Sequence, residues 1–347
     1  MEHLHHFKLG EDPFRNEPAI KFLFESRQQQ EALLRLDRAV RQAKGLCVLI
    51  GAVGAGKTMV VRQLLDNLEE EVFEASMLVV LNGAADAAWM LTRFARQLGV
   101  EDPPKEREAL VAEIYDRLAI IREDGRHAVL IIDDAQTLAE PETLNTVCGL
   151  LKLEYEDRRL LTLVLAGTSD LADALAGNPA LAHRVDAKVQ LAALDPATSA
   201  AYILHRVRIA GGGPAVFASD ALTALHELAG GIPGLMNTLA DNALFEAFLC
   251  GRSAVTAVDV ERAHRDLSWE ASPKSEDAPQ VARATPTAPK LHSAPAAALG
   301  ALDADLDTVF TQSAEAEATV LFDSPRMPDQ GPPKDEPDDL FAELLED

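Results

Sequence analysis

The sequence predicts an α/β fold, a parallel sheet with helices on both faces, followed by a small all-helical domain. Three observations carry this expectation. Gly51-Ala52-Val53-Gly54-Ala55-Gly56-Lys57-Thr58 fits the phosphate-binding loop pattern G-x-x-x-x-G-K-[ST] at every fixed position. Between residues 45 and 193, short apolar runs alternate with amphipathic helical stretches, the pattern of parallel strands joined by crossover helices. A further apolar run, Ala128-Val129-Leu130-Ile131-Ile132, ends in the carboxylate pair Asp133-Asp134.

Residues 1–44 read as an entry segment packed on the core. Pro13 and Pro18 punctuate its start, and Leu33, Leu36, Ala39 and Val40 predict a helix over residues 29–43. The apolar run 46–50 is the strand before the loop, and residues 59–68 are the helix after it, the context that the motif needs. Further strands are expected at 77–81, 129–132, 160–166 and 188–191, completing a core over 45–193. Residues 194–268 lack strand patterns. Helical spacing at Leu222, Leu225 and Leu228, and again at Leu235, Leu239 and Ala243, predicts a helical lid.

The composition changes after Trp269. Pro, Ala and Ser dominate to about residue 300, and acidic residues follow, so 269–347 reads as a disordered linker and acidic tail. Near its end, Leu340, Phe341, Leu344 and Leu345 would share one face of a short helix able to dock in a partner's groove. A solubilising tail with incidental hydrophobic residues is the alternative.

The chain of 347 residues carries a net charge of −24, half of it after Trp269, where 17 acidic residues face 5 basic ones. The remaining −12 on the body disfavours broad binding to nucleic acid. Cys47, Cys148 and Cys250 show no metal-ligand or disulfide spacing, which fits a reducing cytoplasm. The start lacks a signal-peptide pattern, and no apolar run reaches the ~18 residues of a membrane span. His3, His5 and His6 read as a solvated terminus rather than a metal site.

The chemistry is expected around the loop. Its glycines let backbone N–H groups turn inward onto phosphates, and the helix behind presents its positive end to the anion. Residues Gly51, Ala52, Val53, Gly54, Ala55, Gly56, Lys57, Thr58 and Met59 form the expected nucleotide cradle. Lys57 would reach the β/γ-phosphates of ATP, and Thr58 with Asp133 would hold Mg²⁺. Asp134 would polarise the attacking water. Thr168, just after the run 160–166, could sense the γ-phosphate. Arg184 could complete a neighbouring copy's site as an arginine finger, or be an ordinary surface residue.

With these pieces in order, the chain resembles AAA+ ATPases of the general secretion pathway protein A (ExeA-like) family over about residues 5–268. The residues carrying the resemblance are His6-Phe7-Lys8-Leu9, Asp12-Pro13-Phe14, Phe22-Leu23-Phe24, Gln30-Glu31-Ala32-Leu33 and the phosphate loop. Ile131-Ile132-Asp133-Asp134-Ala135-Gln136, Leu165-Ala166-Gly167, His205-Arg206-Val207-Arg208-Ile209-Ala210-Gly211-Gly212 and Gly230-Gly231-Ile232-Pro233 complete it. The resemblance implies an αβα sandwich with a five-stranded parallel sheet in the order 5-1-4-3-2. It also implies nucleotide between core and lid, and nucleotide-dependent homo-oligomers.

Three departures qualify this picture. Asp134 stands where the family usually has Glu. Gly234 stands where an Arg usually follows Gly-Gly-x-Pro, leaving Arg206 or Arg208 as substitutes. The acidic tail stands where members often continue into a membrane span. The expected protein is therefore a slow cytoplasmic ATPase that assists a bacterial envelope system, recruited to the inner membrane through a partner rather than by insertion. A transposition-helper ATPase acting on DNA and a non-hydrolysing nucleotide-dependent interaction module are the alternatives.

Overall fold

The computed structural model describes residues 2–17, 19–80, 86–138 and 140–267. Five strands, β1 (Leu46–Gly51), β2 (Phe73–Val79), β3 (His127–Asp133), β4 (Leu161–Gly167) and β5 (Val185–Leu191), form one sheet. All neighbours pair in parallel, in the order β5-β1-β4-β3-β2, the order that the family resemblance implies. β1, β3 and β4 are buried along their whole length. That is why they read as unbroken apolar runs: a parallel strand covered on both faces has no solvent side to show polar residues. β2 is an edge strand and only partly buried. Its Glu74 and Ser76 interrupt the apolar pattern, so the strand begins at Phe73, earlier than the run at residue 77 suggests.

Helices α1 (Glu2–His6), α2 (Arg27–Arg41), α3 (Lys57–Asp66), α4 (Ala87–Gln97), α5 (Arg107–Glu123), α6 (Pro141–Leu150), α7 (Ser169–Ala176) and α8 (Pro179–Ala182) belong to or precede the sheet region. Strand side chains alternate between faces. Cys47 and Leu49 of β1 therefore join Leu36 and Val40 of α2 and Val61 and Leu64 of α3 on one side. Leu46, Val48 and Ile50 join Met90, Phe94, Ile114 and Leu118 of α4 and α5 on the other. α2 starts at a capping box. The Ser26 hydroxyl accepts from the Gln29 N–H at 3.3 Å and the Gln29 side chain accepts from the Ser26 N–H at 3.3 Å.

After β5 come α9 (Pro196–Ile209), α10 (Ser219–Ala229), α11 (Pro233–Leu249) and α12 (Ala257–Asp266), with a core of their own. Leu4, Phe7, Leu9, Phe14 and Phe22 are buried in that helical core beside Ile203, Val207, Leu239 and Val260. The entry segment is thus divided. Its front half packs with the helical part, and α2 packs on the sheet, which corrects the expectation that residues 1–44 pack on the core as a whole. The physical reason is the row of buried aromatic rings; Phe14 meets Phe217 edge-on at 5.7 Å.

Two of the terminal histidines contact α11 and the turn after it from the surface. His6 Nε2 donates to the Arg252 carbonyl at 2.7 Å, and His3 and His6 lie edge-on to Phe245 and Phe248. His3 and His6 make these ring contacts while His5 and His6 stay exposed, in keeping with a solvated terminus. All three cysteines are unpaired. Among the described residues, no helix is long and apolar enough to cross a membrane. The readings made for 269–347, including the helix near 340–345, and the end of the strand expected at 77–81 lie outside the described residues.

Phe14→Ala should cost about 3–5 kcal/mol, the range for truncating a buried aromatic ring. Urea denaturation followed by circular dichroism checks this. A loss below about 1 kcal/mol would mean that the entry segment is not part of the helical core.

Candidate functional site

The loop between β1 and α3 lies at the C-terminal edge of the sheet, where β3 and β4 also end. Lys57 is the first residue of α3 and is buried. Its ammonium donates to the Gly51 carbonyl at 3.1 Å and to the Ala52 carbonyl at 3.0 Å, which holds the side chain folded across its own loop. Burial pushes this ammonium below its ordinary pKa, against the pull of Asp134 and Asp133. One residue on, the Thr58 hydroxyl donates to Asp133 Oδ2 at 2.6 Å. Asp133 is 2% exposed, and burial pushes its carboxyl above the ordinary range, against the Thr58 bond. These two oxygens are hard donors at the foot of the loop, a set that suits Mg²⁺. Asp134 adopts a left-handed backbone, φ 52°, and its N–H donates to Asp133 Oδ1 at 3.1 Å.

The helical part approaches the loop through Gly230-Gly231-Ile232-Pro233. Gly230 and Gly231 both have positive φ and turn the chain out of α10, and Pro233 opens α11. The Gly231 carbonyl accepts from the Leu194 N–H at 2.8 Å, which pins the turn to the end of the sheet region. The next residue explains the first of the family departures to be met here. Gly234 N–H donates to the Gly54 carbonyl at 2.9 Å. A Cβ on Gly234 would lie 2.9 Å from Gly54 Cα, and one on Gly54 would lie 3.2 Å from Gly234 Cα at a φ of +80°. Two bare backbones touch here, so an arginine has no room in this arrangement.

Neither substitute arginine is free to reach an anion in the cavity. Arg206 lines the cavity, but it donates to the carbonyls of Pro13 and Arg15 and to the Tyr202 hydroxyl. Its guanidinium also lies 4.9 Å from the centre of the Phe22 ring. It is an anchor for the entry segment. Arg208 is exposed and bonds to His205 at 3.2 Å.

Between these walls lies a cavity of about 460 Å³, within the size range of small-molecule sites. Val53, Gly54, Gly56, Lys57, Thr58, Met59 and Asp134 line it from the loop side. Asp133 reaches it through Thr58, while Gly51, Ala52 and Ala55 supply the backbone behind. Thr168 and Arg184 do not line it. The Thr168 hydroxyl is buried without a hydrogen-bond partner among the described residues, and Arg184 donates to the Leu151 carbonyl at 3.4 Å. The sequence reading missed the opposite wall, made by Asn16, Phe24, Tyr202 and Asn237. Tyr202 donates to Asn237 at 2.8 Å and Asn237 donates to Asn16 at 3.1 Å, so the wall is one network. The Phe22-Leu23-Phe24 triplet beside it was the available signal.

An AAA domain model matches residues 40–175. General secretion pathway protein A of Aeromonas hydrophila is 32% identical over 269 residues, 76% of this chain and 48% of that protein. Residues 40–175 are thus an AAA domain, and over 76% of its length the chain is similar to general secretion pathway protein A. It spans about half the length of this relative. Solved structures share the fold of this chain at low identity. The Cdc6p structure from Pyrobaculum aerophilum gives a TM-score of 0.60 at 18% identity, covering 76% of this chain and 73% of that one. The ORC2 protein of Aeropyrum pernix, solved as ADPNP–ADP complexes, gives 0.56 at 15%, covering 75% and 74%.

Two outcomes follow from this geometry. Gly234→Ala should lower stability by about 1–3 kcal/mol, the cost of forcing atoms into a filled contact. Hydrogen exchange at the first turn of α11 should rise with it, and protection equal to that of wild type would mean that the contact does not hold the helix. Asp133→Asn should instead stabilise the nucleotide-free protein by about 1–2 kcal/mol at neutral pH. The sign follows from burial. A carboxyl raised in the folded state loses stability as pH climbs from its unfolded pKa through its folded one, and Asn removes that loss. Thermal denaturation of both proteins at pH 4 and pH 7 checks the difference.

Proposed function

We propose that this protein is a nucleotide-controlled assembly or regulatory factor of a bacterial envelope system. It binds ATP with Mg²⁺ and hydrolyses it slowly to ADP and phosphate on the cytoplasmic side. The observation carrying this reading is the cavity that joins a complete phosphate loop to the N-terminus of α11. Backbone N–H groups of residues 54–58 would take the phosphates, and Lys57 would exchange its two carbonyl partners for phosphate oxygens. Thr58 and Asp133 would hold Mg²⁺, which supplies neutralising charge to the β/γ-phosphates. Asn16, Tyr202 and Asn237 face the loop across the cavity and would surround the nucleoside.

Slow turnover follows from what faces the phosphates. Asp134 would polarise the water from a carboxylate one methylene shorter than Glu, and loose placement of about 1 Å costs on the order of 100-fold. Among the described residues, the helical lid lines the cavity with no free cation, since Gly234 has no side chain and Arg206 is tied to the entry segment. Thr168 has an unsatisfied hydroxyl that could report on the γ-phosphate. Arg184 lies outside this chain's own cavity, which fits a role toward a second copy in a nucleotide-dependent homo-oligomer. The envelope role is supported by the name of the Aeromonas relative, and the acidic C-terminal residues offer a contact for its protein partner.

Turnover measured by chromatographic separation of ADP tests this reading. Lys57→Ala should fall to background and Asp134→Glu should rise about tenfold or more. Duplex DNA should leave the wild-type rate unchanged. A wild-type rate rivalling vigorous AAA+ motors would overturn the slow-switch reading, and stimulation by DNA would point to the transposition-helper class.

A further inference from the structure

Gln136 stands just beyond the β3 carboxylates, in the 3₁₀ turn Ala135–Leu138. Its side chain joins two strand ends. Nε2 donates to Asp134 Oδ1 at 3.2 Å, and Oε1 accepts the Thr168 N–H at 3.3 Å. These partners fix which way the amide points, because a carboxylate cannot donate and an N–H cannot accept. The last residue of β4 leaves room for it. A Cβ on Gly167 would lie 3.0 Å from Gln136 Oε1 and 2.7 Å from Leu171 Cδ2. The Asp134 backbone is held as well, since its carbonyl accepts from the Thr137 N–H at 3.1 Å and from the Thr137 hydroxyl at 2.9 Å.

We propose that Gln136 is a positioning residue for hydrolysis: its carboxamide fixes the Asp134 carboxylate and couples it to the end of β4, where Thr168 stands. With Oδ1 held by the amide, Oδ2 is the oxygen left to accept a proton from water. A short carboxylate gains most from such a tie, because its reach is limited and its rotation otherwise free. The bridge also means that Asp134 and Thr168 shift together, so β4 and α7 move with the state of the reacting phosphate. This inference rests on the reading of the site as a hydrolytic one.

The test compares wild type, Gln136→Ala, Gln136→Glu and Gly167→Ala in full-length protein, reading turnover and the affinity for a fluorescent ATP analogue. Gln136→Ala should lower kcat about 10- to 100-fold with analogue affinity within twofold of wild type. Gln136→Glu should be as slow at pH 8 and recover as pH falls, since the carboxyl introduced by that substitution can donate to Asp134 only when protonated. Gly167→Ala should slow turnover by crowding the Gln136 amide oxygen while leaving the carboxylate and the amide chemically unchanged. Unchanged or faster turnover in Gln136→Ala overturns the proposal and leaves the hydrolytic reading standing. So does a loss that only tracks weakened nucleotide affinity. Absence of any Lys57-dependent turnover in wild type removes the hydrolytic reading, and the proposal with it.

Discussion

A single backbone hydrogen bond, from the Gly234 N–H to the Gly54 carbonyl, joins the helical part of the molecule to the phosphate loop. It can form because both residues lack side chains and their Cα atoms can approach closely. The cavity takes its shape from that contact. α11 is a 17-residue helix, and its first turn is delivered to the loop by two glycines and a proline acting in sequence. A net hydrogen bond is worth only about 1 kcal/mol, so the contact sets position rather than overall stability. The three apolar cores, one on each face of the sheet and one among α9–α12, supply the latter.

The second organising element is the entry segment. It is the wall that neither the sheet nor the helical part could make alone. Its aromatic residues are buried among α9–α12, and Arg206 binds the carbonyls of Pro13 and Arg15 from the inside. That use of Arg206 leaves Lys57 as the cation of the loop itself, with Arg15 lining the cavity from the entry segment. The bare Gly234 and the occupied Arg206 thus share one local consequence, a lid that brings little charge to the loop.

Much of this was legible in the sequence because the relevant patterns are local. The phosphate loop fixes its own conformation, and the buried strands β1, β3 and β4 announce themselves as continuous apolar runs. The helical part showed its buried faces through Leu225 and Leu239. The edge strand β2 was harder to read, since most of its residues are only partly buried and Glu74 and Ser76 break the apolar run. The opposite wall of the cavity was not legible. Asn16, Tyr202 and Asn237 are separated by up to 221 positions, and only tertiary contact brings them together. Gly234 looked like a missing charge, and space rather than charge is what the position requires here.

The buried front segment has a thermodynamic corollary. Residues 4–22 contribute to the helical core and to the cavity wall at once, so docking of this segment and filling of the cavity share a free energy. Linkage makes such coupling reciprocal. A ligand in the cavity tightens the segment, and anything that peels the segment away loosens the ligand by the same factor. The entry segment would in that sense be a handle on the affinity of whatever fills the cavity, built from packing alone and operating without any change in the loop itself.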